Sequence, residues 1–255
     1  MSEENELMGV WSHAEQVDAE CTKEDTSGGY KATSINGYWF IKKATELWGP
    51  CGAGWGYDIL EDRFDEAAII KDESTDIPLC NSTMHTIKLQ FWYTQNGERH
   101  TIVQYGHTPY IYQTKYGPKT DMEAPKKSLM DAIKKCLSML GFASDVYLGE
   151  WDDPAYAALR HAEADIESAD NKEEKLQEEI DKIAERATDN LKTMGESVKI
   201  PELDRIHKSV VRYLEGLKKS KSSGIKDEAN KQLARVARGY KKRLGQLKEQ
   251  QNETV

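Results

Sequence analysis

Pro125-Lys126-Lys127-Ser128-Leu129-Met130-Asp131-Ala132-Ile133-Lys134-Lys135-Cys136-Leu137-Ser138-Met139-Leu140-Gly141 is the stretch whose reading decides the fold. Leu129, Met130, Ile133, Leu137 and Leu140 recur at three- and four-residue spacing and share one arc of a helix. Lys127 and Lys134, seven apart, stack on another arc. Pro125 is tolerated only in the first turn, where backbone N–H groups lack intrahelical partners, and Gly141 supplies the stop. Two uses suit such a helix. It lies on a core with solvated lysines outside, or its lysines form the floor of an anion-binding groove.

Upstream, the chain alternates. Ile87, Leu89, Phe91 and Tyr93 are interleaved with Lys88, Gln90 and Trp92, which predicts a strand over residues 83–94. Asn96-Gly97 supplies the positive-φ pair of a tight hairpin, and Thr101, Val103 and Tyr105 alternate in a return strand over residues 99–105. Gly52-Ala53-Gly54-Trp55-Gly56 looks like a phosphate-cradling loop, but it follows a helical pattern and runs into alternating Trp55, Tyr57 and Ile59. It is therefore the entry to a strand. Residues 64–71 form a second strand, and residues 72–78 a loop. Before the sheet, Phe40, Ile41, Ala44, Leu47 and Trp48 keep helical spacing, with Trp39, Lys42 and Lys43 together on another flank. Residues 106–120 read as a loop in which Tyr110, Tyr112 and Tyr116 interleave with Lys115 and Lys119. The fold class is α+β: an antiparallel β-β-β-α core with a preceding helix, the sheet packed on the lysine-rich helix, and a C-terminal helical segment.

Three regions are expected: a loosely ordered lead-in over residues 1–30 with a short helix around Trp11, a core over residues 31–157, and a helical region over residues 158–255. In the last, Leu159, Ala162, Ile166, Ala169, Glu173, Leu176, Ile180, Ile183, Ala187, Asn190 and Met194 keep heptad spacing. Alanines, one Glu and one Asn weaken that seam, which favours an intramolecular helical hairpin over a free-standing coiled coil. A second helix over residues 203–217 and a basic third over residues 225–247 follow, with a frayed end from Lys248 onward.

The 255 residues carry 35 Lys/Arg and 44 Asp/Glu, a formal charge of −9. That balance is uneven: residues 1–150 and 151–195 are acidic, by −9 and −7, whereas residues 196–255 carry +7. A polyanion partner thus requires local basic surface. Cys21, Cys51, Cys80 and Cys136 lack paired spacing and read as reduced thiols, and the acidic N-terminus and the lack of any apolar run long enough for a bilayer point to the cytoplasm without a membrane partner. Catalysis has little support. No histidine is spaced for a metal with the cysteines, His13-Ala14-Glu15 and His161-Ala162-Glu163 lack the paired cysteines of a zinc deaminase, and Asp152-Asp153 reads as a helix cap rather than a Mg²⁺ site. No enzyme and no cofactor are expected.

Single strands are held by basic grooves supplemented with aromatic faces. The loop with Tyr112, Lys115 and Lys119, the lysine helix, and Trp39 with Lys42 and Lys43 supply such ingredients.

In order and spacing, Gly37-Tyr38-Trp39-Phe40-Ile41-Lys42-Lys43-Ala44-Thr45-Glu46-Leu47-Trp48-Gly49, Gly54-Trp55, Gln104-Tyr105-Gly106 and the stretch from Met130 to Gly141 resemble the N-terminal core of the Rad-fifty-two family of recombination mediators, phage-type single-strand annealing proteins above all. The resemblance covers roughly residues 31–150. It implies ATP-independent binding and annealing of single-stranded DNA in homologous recombination, by a homo-oligomeric ring or filament, in a phage-encoded protein of the bacterial host cytoplasm. By the same resemblance, Lys134 and Lys135 match paired phosphate-contacting residues, and Lys126 matches a basic position one helical stretch earlier, with Lys127 its neighbour. The family's basic residue in the early helix falls on Trp39, so either Lys42 and Lys43 supply the charge or Trp39 stacks on a base. A contact at the strand hairpin falls on Gln95, with Arg99 as the substitute. Residues 158–255 lie outside the resemblance, and their basic last helix offers a surface for DNA, for a single-strand-binding protein or for an exonuclease. The alternative is a helical assembly or adaptor protein without annealing activity.

Overall fold

A computed structural model describes residues 8–26, 29, 31–72 and 74–253. The chain divides into two units: residues up to Val17 with Ser34–Leu148, and Asp18–Thr33 with the chain from Gly149 onward. The three junctions follow Val17, Thr33 and Leu148, whereas the expected divisions lie at residues 30 and 157. The left-handed Gly149 (φ 77°) marks the last junction.

In the first unit, α1 (Gly9–Ala14) and α2 (Gly37–Trp48) precede four antiparallel strands in the order β3 (Trp55–Lys71), β4 (Pro78–Gln95), β5 (Glu98–Thr114) and β6 (Gly117–Thr120). Then come α3 (Ala124–Ser138) and the short α4 (Ser144–Tyr147). β1 (Thr22–Asp25) and β2 (Ala32–Ile35) form a separate two-stranded sheet. The Asn36 side chain caps α2 by accepting from Tyr38 N at 3.0 Å, and Pro125 sits in the first turn of α3. Asn96 (φ 53°) and Gly97 (φ 80°) make the β4–β5 turn, as the twist of a tight hairpin demands.

Alternation along β4 sorts the sheet into two faces. Ile87, Leu89 and Phe91 are buried toward the helices, while Lys88, Gln90 and Trp92 lie on the other face. An aromatic cluster completes this core: Trp39 meets Phe40 edge-on at 5.1 Å and Phe142 at 6.3 Å, and Trp48 stacks on Phe142 at 5.7 Å.

Three expectations need correction here. Residues 106–120 are not a loop: β5 continues to Thr114, turns through Lys115-Tyr116, and pairs with β6, because the β-branched and aromatic run Thr108–Tyr112 fits a pleat already begun on β4. Residues 55–71 are one strand rather than two, accommodated by register shifts at Ile59/Glu61 and Glu66/Ile69. The described part of the lead-in is anchored rather than loose. Trp11 lies over Gly141, Ala143 N donates to Ala14 O at 2.9 Å, and Val17 N donates to the Asp145 carboxylate at 3.1 Å. The short helix around Trp11 is as expected, and the remainder of that segment, residues 1–7, 27, 28 and 30, lies outside the described residues.

Asp72 and residues 74–77 lie in the expected loop, while Pro78, the last residue of the expected span, opens β4. Asp72 Oδ1 accepts hydrogen bonds from Ser74 Oγ (2.6 Å), Thr75 Oγ1 (2.9 Å), Thr75 N (2.9 Å) and Ser74 N (3.0 Å). These donors stabilise the anion and draw the carboxyl down to about 2, the Ser74 hydroxyl first. Since the folded-state value is depressed, the turn keeps these bonds above the ordinary aspartate range and loses them only as pH falls toward 2. Carboxyl NMR titration is expected to place the Asp72 midpoint there, and a midpoint near the ordinary value of about 3.9 would contradict the turn geometry.

The second unit is a helical assembly of α5 (Pro154–Ser168), α6 (Lys172–Glu196), α7 (Ile200–Leu217) and α8 (Ser223–Glu253). Its core gathers Leu159, Ile183, Met194, Leu203, Val210, Leu214, Leu217, Ile225, Val236 and Leu247. The intramolecular packing expected from the weak seam is present. The single long heptad helix is not: it breaks at Ala169–Asn171, where the Asn171 side chain accepts from Glu174 N at 3.3 Å and caps α6 instead of continuing α5. The basic helix also runs to Glu253, past the point of expected fraying.

Asp153 begins α5, with Oδ1 accepting from Ala155 N at 3.0 Å and Oδ2 from Arg212 Nη2 at 3.0 Å. The backbone bond and then the Arg212 side chain hold its carboxyl below the ordinary range. Replacing Asp153 by alanine is expected to cost about 1 kcal/mol in chemical denaturation, as other cap deletions do. The wild-type advantage should vanish as pH falls through the depressed carboxyl value.

Candidate nucleic-acid interface

The lysine helix is fixed by small residues. Ala124, Ser128, Ala132 and Cys136 form its buried edge with Ile133 and Leu137, so the sheet-facing side is narrower and smaller than the leucine arc suggests; Leu129 and Met130 are only half-buried. It crosses β5 at Gly106, where a Cβ would stand 1.9 Å from Ser128 O and 2.7 Å from Ala132 N.

This close approach lets α3 cover the edge of the sheet. β5 pairs with β6 only from Ile111 to Thr114, which leaves its earlier residues on an open edge. There His107 N donates to Asp131 Oδ2 at 3.0 Å, and Lys135 Nζ donates to Tyr105 O at 3.2 Å and to Asp131 Oδ2 at 2.8 Å. Asp131 and Lys135, one turn apart, thus occupy strand groups that otherwise invite another chain. Lys134, about 100° around the helix from Lys135, turns elsewhere. Its Nζ donates to Ile35 O at 3.1 Å and lies 5.6 Å from the centre of the Phe40 ring. Burial pushes the Lys134 ammonium below the ordinary lysine range, with Asp131 opposing.

The first turn of α3 carries Lys126, paired with Glu123 at 3.0 Å, and Lys127, paired with Asp121 at 2.5 Å. The Lys127 hydrogen bond holds Asp121 low, and the same bond raises Lys127, whose charge also senses Tyr112. Tyr112 faces Lys119 directly across the β5–β6 ladder. Tyr112, Lys119 and Lys127 are therefore brought together around Asp121. Lys115 sits at the hairpin tip, 4.9 Å from the Tyr116 ring. Lys42 and Lys43 both pair with Glu46, at 4.0 and 3.0 Å.

Two expected site residues lie apart from this group. Trp39 is 1% exposed and locked between Phe40 and Phe142, so stacking on a base is excluded in this conformation. Its flank of α2 faces the core because that helix is covered on more than one side. Arg99 lies on the sheet face away from α3, paired with Asp58 at 3.4 Å and 4.3 Å from the Trp92 ring.

That other face carries a network not anticipated from the sequence. Lys88 pairs with Glu61 at 3.1 Å and lies 5.5 Å from the Tyr105 ring, Thr86 donates to Asp65 at 2.6 Å, and Tyr105 stacks on His107. Arg63 pairs with Glu61 and Asp65. The alternation of Thr86, Lys88, Gln90 and Trp92 was the available signal for it.

Cys136 is buried, and burial pushes its thiol up to about 11, away from nucleophilic chemistry. Among the described residues, no group of three or more His, Cys, Asp and Glu is placed to hold a metal ion, and no helix is long and apolar enough to cross a membrane. Asp153 serves as a cap, in line with the reading of Asp152-Asp153 as a helix start. A scan against protein-family models and a search of curated proteins return no match to the chain.

Proposed function

We propose that the chain binds single-stranded DNA and anneals complementary strands without ATP, as a homo-oligomer acting in recombination within a cytoplasm. The observation that carries this reading is the element order itself: an initial helix, an antiparallel meander, then a helix bearing Lys126, Lys127, Lys134 and Lys135 seated on Gly106. The resemblance implies the same coarse order of helix, antiparallel meander and helix, and β6 is a strand beyond the three it implies. Near the N-terminal end of α3, Tyr112 beside Lys119 and Lys127 offers an aromatic surface next to cations, the combination that single strands use.

Self-association has its own support. β3 is a sheet edge, and residues 78–82 of β4 lie beyond the reach of β5. On β3, the loop after it and this end of β4, Phe64, Ile69, Ile77 and Leu79 are each half-exposed or more. Such ribbons are marginal alone, and apolar residues on them mark contact surfaces.

One observation favours the adaptor reading instead. Lys42, Lys43, Lys126, Lys127 and Lys135 all have carboxylate partners, so much of the expected basic surface is locally neutralised. Binding must exchange these pairs for phosphate, and an exposed pair such as Lys126–Glu123 contributes only about 0–1 kcal/mol. Fluorescence anisotropy with a labelled oligonucleotide, without nucleotide or metal, separates the readings. Salt-sensitive binding is expected; its absence at low salt would leave the adaptor.

A further inference from the structure

We propose that the solvent face of α8 is a second polyanion site, which takes the phosphodiester backbone of a single strand along a ridge of Lys231, Arg235, Arg238 and Lys242. The choice of ligand rests on the single-strand reading above. The ridge rests on separate observations in the other unit.

Between Ala229 and Lys248 the chain has seven Lys/Arg and no Asp/Glu. Lys231, Arg235, Arg238 and Lys242 follow the spacing i, i+4, i+7, i+11, which aligns them along one side of a helix. All four are exposed, while Ala229, Gln232, Val236 and Leu247 are buried on the opposite side. At about 1.5 Å per residue the row spans roughly 16 Å. That length covers on the order of five phosphates at the ~3.4 Å spacing of one duplex strand, and fewer on an extended strand.

Three of the four charges also lack an ion-pair partner. Among the described residues, Arg235, Arg238 and Lys242 have no carboxylate within ion-pair distance, and only Lys231 has one, Glu228 at 2.9 Å. Arg235 donates to Thr188 Oγ1 at 2.9 Å and Gln232 Oε1 at 3.3 Å, contacts that orient the guanidinium without neutralising it. Many surface cations elsewhere are paired locally, as in Lys175–Glu178 on α6 and Lys126–Glu123 on α3. Lys192, Arg205 and Lys208 have no ion-pair partner among the described residues either, but they are spread over two helices. The α8 ridge differs in aligning three such cations along one side of one helix. At Arg235, Arg238 and Lys242, phosphate groups would replace water and counterions without first displacing carboxylates. An amphipathic membrane contact is disfavoured by the helix itself, because its apolar side is spent on the core of its own unit.

The test uses the full chain and a fluorescein-labelled thymidine oligonucleotide, with affinity measured across salt concentrations. R235Q/R238Q/K242Q keeps helix-forming residues. It is expected to bind about tenfold more weakly at low salt, and to lower the slope of log affinity against log salt by about 2, near 0.7 for each lost phosphate contact. K192Q/R205Q/K208Q, which removes equal charge from exposed positions of α6 and α7, should retain the wild-type slope. Circular dichroism checks folding, and R235K/R238K should retain the slope. A ridge variant indistinguishable from wild type overturns the proposal, as does an equal loss in the α6–α7 control. Displacement of the oligonucleotide by polyglutamate at matched charge, as effectively as by unlabelled oligonucleotide, also overturns it and assigns the ridge to an acidic protein segment. Running K134A/K135A alongside separates the two sites. Loss of binding in that variant alone removes the ridge and keeps the α3 assignment, and loss in the ridge variant alone does the reverse.

Discussion

Gly106→Ala is expected to destabilise the first unit by about 3 kcal/mol, at the upper end of what overpacking costs. The new methyl carbon would stand 1.9 Å from Ser128 O and 2.7 Å from Ala132 N. Both are backbone atoms of α3, so no rotamer change relieves the clash. The helix must lift from β5, which unseats Ala132, Cys136 and Leu137 and pulls Asp131 and Lys135 away from His107 N and Tyr105 O. Urea denaturation measures the loss. A variant as stable as wild type would show that α3 is not seated at this point on the sheet.

Lys134→Ala combined with Lys135→Ala is expected to weaken single-strand binding at least about tenfold at low salt, since two cations contribute two phosphate contacts to the electrostatic term. The oligomer measured by light scattering should be unchanged. Lys135 would exchange Asp131 and the Tyr105 carbonyl for a phosphate. Lys134 starts half-buried against Ile35 O and the Phe40 ring, and its ammonium is held below the ordinary lysine range. A lysine with a lowered value sheds its proton sooner as pH rises. Its share of binding should therefore fall away at alkaline pH before that of an ordinary lysine near 10.4. Binding that survives the double substitution would remove these two residues from the site.

Much of the first unit is legible in the sequence because its signals are local. Asn96-Gly97 demands positive φ, β4 alternates with a period of two, and Pro125 and Gly141 bracket a helix. Other features depend on what folds against what. Trp39 shares a flank with Lys42 and Lys43 on paper, yet α2 is covered from more than one side, and Phe142 closes over the indole. The acids that neutralise the site lysines were visible as letters, but the pairing of Lys127 with Asp121 depends on the turn out of β6. Residues 106–120 carry no regular local pattern, since Tyr, Lys and Gly alternate irregularly there; pairing with β4 and then between β5 and β6 makes them strand and hairpin. The heptad from Leu159 keeps its phase at Ile183, Ala187 and Met194, all buried, but periodicity does not register the Asn171 cap that divides the helix. The unit boundaries at Val17, Ser34 and Leu148 are discontinuous in the chain, which composition does not reveal. The ridge on α8 lies within the basic block of residues 196–255, but its exposure and the absence of ion-pair partners at Arg235, Arg238 and Lys242 among the described residues are visible only in the fold.

The central claim is annealing, and the most direct measurement mixes two complementary oligonucleotides, labelled as a fluorescence-transfer pair, with the full-length protein in a buffer free of nucleotide and divalent metal. Duplex formation is expected to accelerate with protein concentration, with strands of unchanged length on a denaturing gel. A rate equal to that of the oligonucleotides alone would contradict the account and favour the adaptor, and shortened strands would contradict it by revealing a nuclease.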